Sequence, residues 1–163
     1  MGENIVTGSY DRYAKYNGKE YLLNEKNRKY IICTQNPENA DEQFEKGGSY
    51  FYRVIERDLL SDIYRYMPVA VYAGIQWDLT DIYCEISENA VKLTLHKTGV
   101  FDGWEVHEQS IHTKWIDNTE LEAAAIGFLY ERKDGVEYNP PLIEEKRIKI
   151  SDLYKYHQYF KNI

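Results

Sequence analysis

Two short alternating runs, Tyr10 to Tyr16 and Lys19 to Leu23, meet at Asn17-Gly18, and no other feature constrains the fold of this chain as strongly. A two-residue hairpin turn needs positive φ at both central positions, which Asn and Gly tolerate, so the dipeptide predicts an antiparallel hairpin. Its surroundings follow the pattern Tyr-x-Gly-x-x-aromatic from Tyr16 to Tyr21, and the pattern returns 56 positions later from Tyr72 to Trp77. Other anchors recur in the same order: Phe44-Glu45 with Trp104-Glu105, Arg53-Val54-Ile55 with Lys114-Trp115-Ile116, and Asp58-Leu59 with Glu120-Leu121. Their offsets drift from 56 to 62, as a few inserted loop residues would produce. Arg147 to Leu153 begins a partial third copy.

The elements around these anchors read as β-meanders. Arg28 to Thr34 and Ser49 to Glu56 are predicted strands, separated by a polar loop from Gln35 to Gly48. Asp58 is placed to cap a short helix carrying Leu59, Leu60, Ile63 and Tyr64. Further on, Val69, Val71, Ala73, Ile75 and Trp77 share one strand face and Val91, Leu93 and Leu95 another, with Ser87-Glu88-Asn89 as a turn between them. Ile111 to Ile116 is the next strand. Asn118 or Thr119 then caps Glu120 to Phe128, whose alanines favour helix. A hairpin around Lys133-Asp134-Gly135, a break at Asn139-Pro140-Pro141, a strand from Lys146 to Ile150 and a helix bearing Leu153, Tyr156 and Phe160 complete the chain.

Short bent strands with a glycine-containing first hairpin, together with the repeated Tyr-x-Gly-x-x-aromatic opening, resemble the tandem SH3-like small-barrel repeat proteins of bacteria. That resemblance covers Tyr10 to about Phe128 and carries no activity, because small barrels host many functions. The expected fold is mainly β with short helices (α+β). It consists of two tandem antiparallel barrel-like or meander units at 1–66 and 67–128, each closed by a short helix. A strand-helix extension at 129–163 packs on the second.

Among 163 residues, 16 are Tyr and 43% are hydrophobic, enough to build a core and too many for a disordered chain. No apolar run approaches the ~20 residues of a membrane span, and MGENIVTG has no apolar segment of a secretory signal, so a cytoplasmic protein without a membrane role is expected. Cys33 and Cys84 lack the CxxC spacing of a zinc or redox site and read as reduced, buried fillers, Cys84 sharing a strand face with Ile82 and Ile86.

The net charge of −7 opposes general phosphate binding, and it is unevenly placed. Arg12, Lys15, Lys19, Lys26, Arg28 and Lys29 face only Asp11, Glu20 and Glu25 between residues 10 and 30, whereas Asp81 to Glu145 holds fourteen acidic residues and five basic. A surface built from that second segment steers toward a cationic partner. Its candidate contacts are Asp102, Trp104, Glu105, Glu108, Asp117, Glu120 and Glu122.

The leading expectation is therefore a non-enzymatic protein-binding module, with an immunity or antitoxin-type inhibitor of a basic protein as its concrete form. An alternative is a small hydrolase-like enzyme with Glu105, His107 and His112 as acid-base groups in a pocket between the two units. A second alternative binds single-stranded nucleic acid through Tyr10, Tyr13, Tyr16, Tyr21 and Tyr30 with their interleaved cations, although tyrosine also suits half-buried strands. No GxSxG elbow, phosphate-cradling loop or dinucleotide fingerprint occurs in the chain. No cofactor or metal is expected, and homo-oligomerisation is left open.

Overall fold

The computed structural model describes residues 12–132 and 134–163. Tyr10 and Asp11 of the expected first strand, and Lys133 of the expected turn, lie outside the described residues. In chain order the strands are β1 (Arg12–Tyr16), β2 (Lys19–Lys26), β3 (Lys29–Thr34), β4 (Glu45–Gly47), β5 (Tyr50–Ile55), β6 (Asp62–Tyr72), β7 (Ile75–Asp78), β8 (Glu85–Ile86), β9 (Ala90–His96), β10 (Glu105–Glu108), β11 (Ile111–Asp117), β12 (Ala123–Tyr130) and β13 (Ile143–Ile148). One α-helix, α1 (Leu153–Lys161), follows them, and single 3-10 turns occupy Pro37–Asn39, Arg57–Leu59, Asn118–Glu120 and Ile150–Asp152. Among the described residues no helix is long and apolar enough to cross a membrane.

The chain divides into two compact units, one comprising the residues through Tyr66 with Phe128–Glu144 and Phe160–Ile163, the other Met67–Gly127 with Glu145–Tyr159. One nine-stranded sheet has the order β13-β12-β6-β1-β2-β3-β5-β4, with β7 also paired to β6. Ala14 sits opposite Tyr21 on β2 and Ile63 on β6, and because cross-strand partners share a face, the three line one side of the sheet. There they join Leu23, Ile32, Ile55 and Leu60 in a buried cluster. The opposite side is aromatic: Tyr13 pairs with Tyr64, and Phe160 packs edge-on to Tyr13 at 5.0 Å and stacks on Tyr66 at 4.2 Å. The C-terminus is tied in as well, the carbonyl of Ile163 accepting from Gln35 N at 2.8 Å and Thr34 Oγ1 at 2.9 Å.

In the second unit, β7 pairs with Val69–Tyr72, and a separate four-stranded sheet runs β10-β11-β9-β8. Val91, Leu93 and Ile116 point to a core shared with Ala70, Leu79 and Leu153.

The fold is mainly β, and both sheets are open, their end strands paired on one side only among the described residues, so the closed barrels expected from the resemblance are not formed. The closing helices are corrected too. Leu60, Ile63 and Tyr64 do not belong to a helix capped by Asp58; the helical geometry stops after one 3-10 turn, and the β-branched and aromatic run from Ile63 pairs with β1. Ala123 to Phe128 is strand β12 rather than helix. Its Ala124, Ala125, Ile126 and Gly127 are buried consecutively, without a helical stripe, and tertiary pairing beside β6 overrides alanine's helix propensity. Ala73 and Gly74, at φ 53° and 73°, split the single strand expected through Trp77 into a hairpin. They match Asn17 and Gly18 at 50° and 74°. Ile82 and Cys84 lie in a turn before β8 rather than on a strand face; Ile82 is 73% exposed and Cys84 only partly buried, and both cysteines are free.

Candidate functional site

The acidic segment singled out by charge becomes the outer edge of the four-stranded sheet. All four residues of β10 are exposed, and β10 is an end strand of its sheet. Glu105 lies opposite Thr113 and Val106 opposite His112, after which the register shifts and Glu108 meets Ile111. The extra residue at that bulge is His107, whose Nε2 lies 2.6 Å from Thr113 Oγ1 and whose ring lies 5.5 Å from that of Tyr83.

Glu105 and His107 therefore belong to the Thr113 side of the sheet. His112 is on the other side, fully buried, with its ring edge-on to Phe101 at 5.0 Å. The strand register does not bring these three side chains together around one reacting atom.

The candidate partner-binding residues fall into two groups. Asp102, Glu105 and Glu108 are exposed and make no ion pair among the described residues. Asp117, Glu120 and Glu122 hold the backbone instead. Asp117 accepts from Thr119 N at 2.9 Å and Thr119 Oγ1 at 2.8 Å, which keeps its carboxyl below the ordinary value. Glu120 reaches back to Asp117 N, and Glu122 accepts from Gly74 N at 2.9 Å. Trp104 is half-buried against the core, 5.6 Å from Trp77.

Sequence reasoning passed over Trp115, which is 48% exposed with Lys92 Nζ 5.9 Å from its ring centroid. Strand alternation carried the signal, since Ile116 faces the core and its neighbour must face out.

The same unit contains a polar network that the spacing of its residues hid. His96 Nε2 bonds to Asp81 Oδ2, and Asp81 Oδ1 accepts from Tyr83 N at 2.8 Å. Cys84 Sγ lies 3.2 Å from Thr94 Oγ1, and burial pushes its thiol pKa up, so it is not a thiolate at neutral pH. Among the described residues no group of three or more His, Cys, Asp or Glu is placed to hold a metal ion.

The tyrosine-rich hairpin has little free ring face. Tyr13 and Tyr21 are buried, donating from their hydroxyls to the carbonyls of Phe160 and Asn39. Arg53 covers Tyr16 and Arg57 covers Tyr30, each with its guanidinium 5.1 Å from the ring centroid. Tyr10 lies outside the described residues.

The first unit also has a cavity of about 400 Å³, which no sequence feature indicated. Its wall includes Arg57, Asp62, Tyr130, Tyr138, Leu142 and Glu144. Tyr130 Oη donates to Glu144 Oε2 at 3.1 Å. Burial, that bond and the charges of Glu144, Asp62 and Glu20 push the phenol up to about 12, so it remains a donor across the physiological range. Arg57 donates to Tyr30 Oη at 2.5 Å and to the carbonyl of Arg132 at 2.6 Å.

A family model described as uncharacterised conserved protein UCP033725 matches residues 9–127, and the chain belongs to that family. No curated protein and no solved structure matches it.

Proposed function

We propose that this member of the family is a non-enzymatic protein-binding module that recognises a basic protein partner along β10. One observation carries the reading: an edge strand unpaired on its outer side among the described residues, and exposed at every position, bears Glu105 and Glu108, with Asp102 in the loop before it. An open edge presents backbone N–H and C=O groups to an incoming extended segment. Three carboxylates without ion pairs among the described residues select a cationic one and speed its approach. Val106, 59% exposed, and Trp115 supply apolar area beside the charges. An inhibitor of the immunity or antitoxin type, blocking a cationic toxin by occlusion and charge, is the concrete form of this reading.

Capture from the native host at low and high salt tests it, comparing the native chain with Glu105→Lys/Glu108→Lys and with Val106→Pro. The expected result is a basic protein retained at low salt, released at high salt and lost from both variants. Retention unaffected by salt or by the variants overturns the reading.

A further inference from the structure

The cavity of the first unit is lined by charges of both signs, Arg57 half-buried and Asp62 and Glu144 exposed, that form no ion pair with one another or with any other described residue. Arg57 is held by neutral acceptors only, the Tyr30 hydroxyl and the Arg132 carbonyl, with its guanidinium over the Tyr30 ring. These contacts fix its position and leave its charge uncompensated. Glu144 is held by the neutral Tyr130 hydroxyl, and the charge of Asp62 acts on that same hydroxyl. Glu131, the remaining carboxylate of the wall, is neutralised by Arg12 at 2.8 Å and takes no part. Leu142 and Tyr138, respectively 49% and 37% exposed, give the wall apolar area.

We infer that this cavity binds a small zwitterion, its carboxylate on Arg57, its ammonium on Asp62 and Glu144, and its apolar part against Leu142 and Tyr138. An α-amino acid and a short free peptide share that chemistry. The volume suits a small molecule. A ligand of one sign would satisfy one side and crowd the other, and a neutral polyol would leave all three charges uncompensated. This site is separate from the β10 edge, and its ligand need not be the partner proposed there.

Calorimetric titration of the intact chain with free leucine, N-acetyl-leucine, leucinamide, leucyl-leucine and maltose tests the inference. Free leucine or leucyl-leucine is expected to bind at up to millimolar levels, and which of the two binds tighter identifies the source as amino acid or peptide. Blocking either terminus of the preferred ligand should weaken it by about tenfold or more, since each removes one charge-assisted contact. Glu144→Gln, at an exposed position where folding is checked by circular dichroism, should weaken the free ligand and leave the ammonium-blocked one unchanged. Glu105→Lys/Glu108→Lys should leave both unchanged. The inference is overturned if no zwitterion binds, if the blocked compounds bind as well as the free ones, or if maltose alone binds.

Discussion

Arg12 donates from Nε to Glu131 Oε2 at 2.8 Å and from Nη2 to Oε1 at 3.1 Å, a two-pronged pair across 119 positions of sequence. Glu25 accepts from a third nitrogen, Nη1, at 3.2 Å. Burial works against the charged guanidinium and the two carboxylates outweigh it, so its pKa sits above the ordinary value. Both side chains of the main pair are 18% exposed. Their coupling should therefore exceed that of a surface pair and fall short of a fully buried one, about 1–2 kcal/mol in a double-mutant cycle of Arg12→Ala and Glu131→Gln. Urea unfolding of the four proteins measures it, and additive effects would remove the pair from the account of how β1 is held.

The two matched turns permit a reciprocal experiment. Gly18 has φ +74° with nothing within 4 Å of an added Cβ, so Gly18→Ala pays only for the left-handed backbone, about 1 kcal/mol. Ala73 already pays that cost at φ 53°. Ala73→Gly should raise stability by about 0.5–1 kcal/mol, the relief exceeding the entropy added to the unfolded chain. Thermal unfolding of both variants should show opposite signs, and equal signs would contradict the shared turn geometry.

These turns also mark what could be read from the sequence and what could not. Asn17-Gly18 specifies its hairpin through local backbone sterics, so two residues suffice. Ala123–Gly127 carries the opposite local preference, and only its place beside β6, a strand that begins 61 positions earlier, makes it β. Exposure of β10 could be anticipated from charge, but not the bulge that places His107 on the Thr113 side and leaves His112 on the other. The cavity had no linear trace, because Tyr130 and Glu144 join Arg57 and Asp62 from a segment far along the chain.

Cys33 is fully buried, and that burial raises its thiol from the ordinary value near 9 to about 11, with the Asn24 amide only partly opposing the rise. Below pH 9 both folded and unfolded chains hold the proton, so stability is unaffected. Between pH 9 and pH 11 the unfolded chain releases it while the folded chain keeps it, and stability falls by about 2 kcal/mol as pH rises. Tyr66, raised by burial, acts in the same direction above the ordinary tyrosine range. Unfolding of wild type and Cys33→Ala at pH 7, 9 and 11 checks this: the variant should lose less stability on going alkaline. Equal losses would show that Cys33 does not titrate on unfolding in that window.

His112 presents the opposite problem, a polar ring buried without compensation. Both ring nitrogens lack a hydrogen-bond partner among the described residues, and the residue is fully buried opposite Leu95 and Val106, with Phe101 edge-on at 5.0 Å. A desolvated imidazole with an unmade bond costs about 1–3 kcal/mol, and a leucine of similar volume avoids that cost while giving up only the edge-to-face contact, about 0.5–1.5 kcal/mol. His112→Leu should therefore stabilise the second unit by about 1 kcal/mol in urea unfolding. A loss of more than about 2 kcal/mol would mean instead that the imidazole is held by a buried water, because such a water is costly to lose when its polar partner is removed.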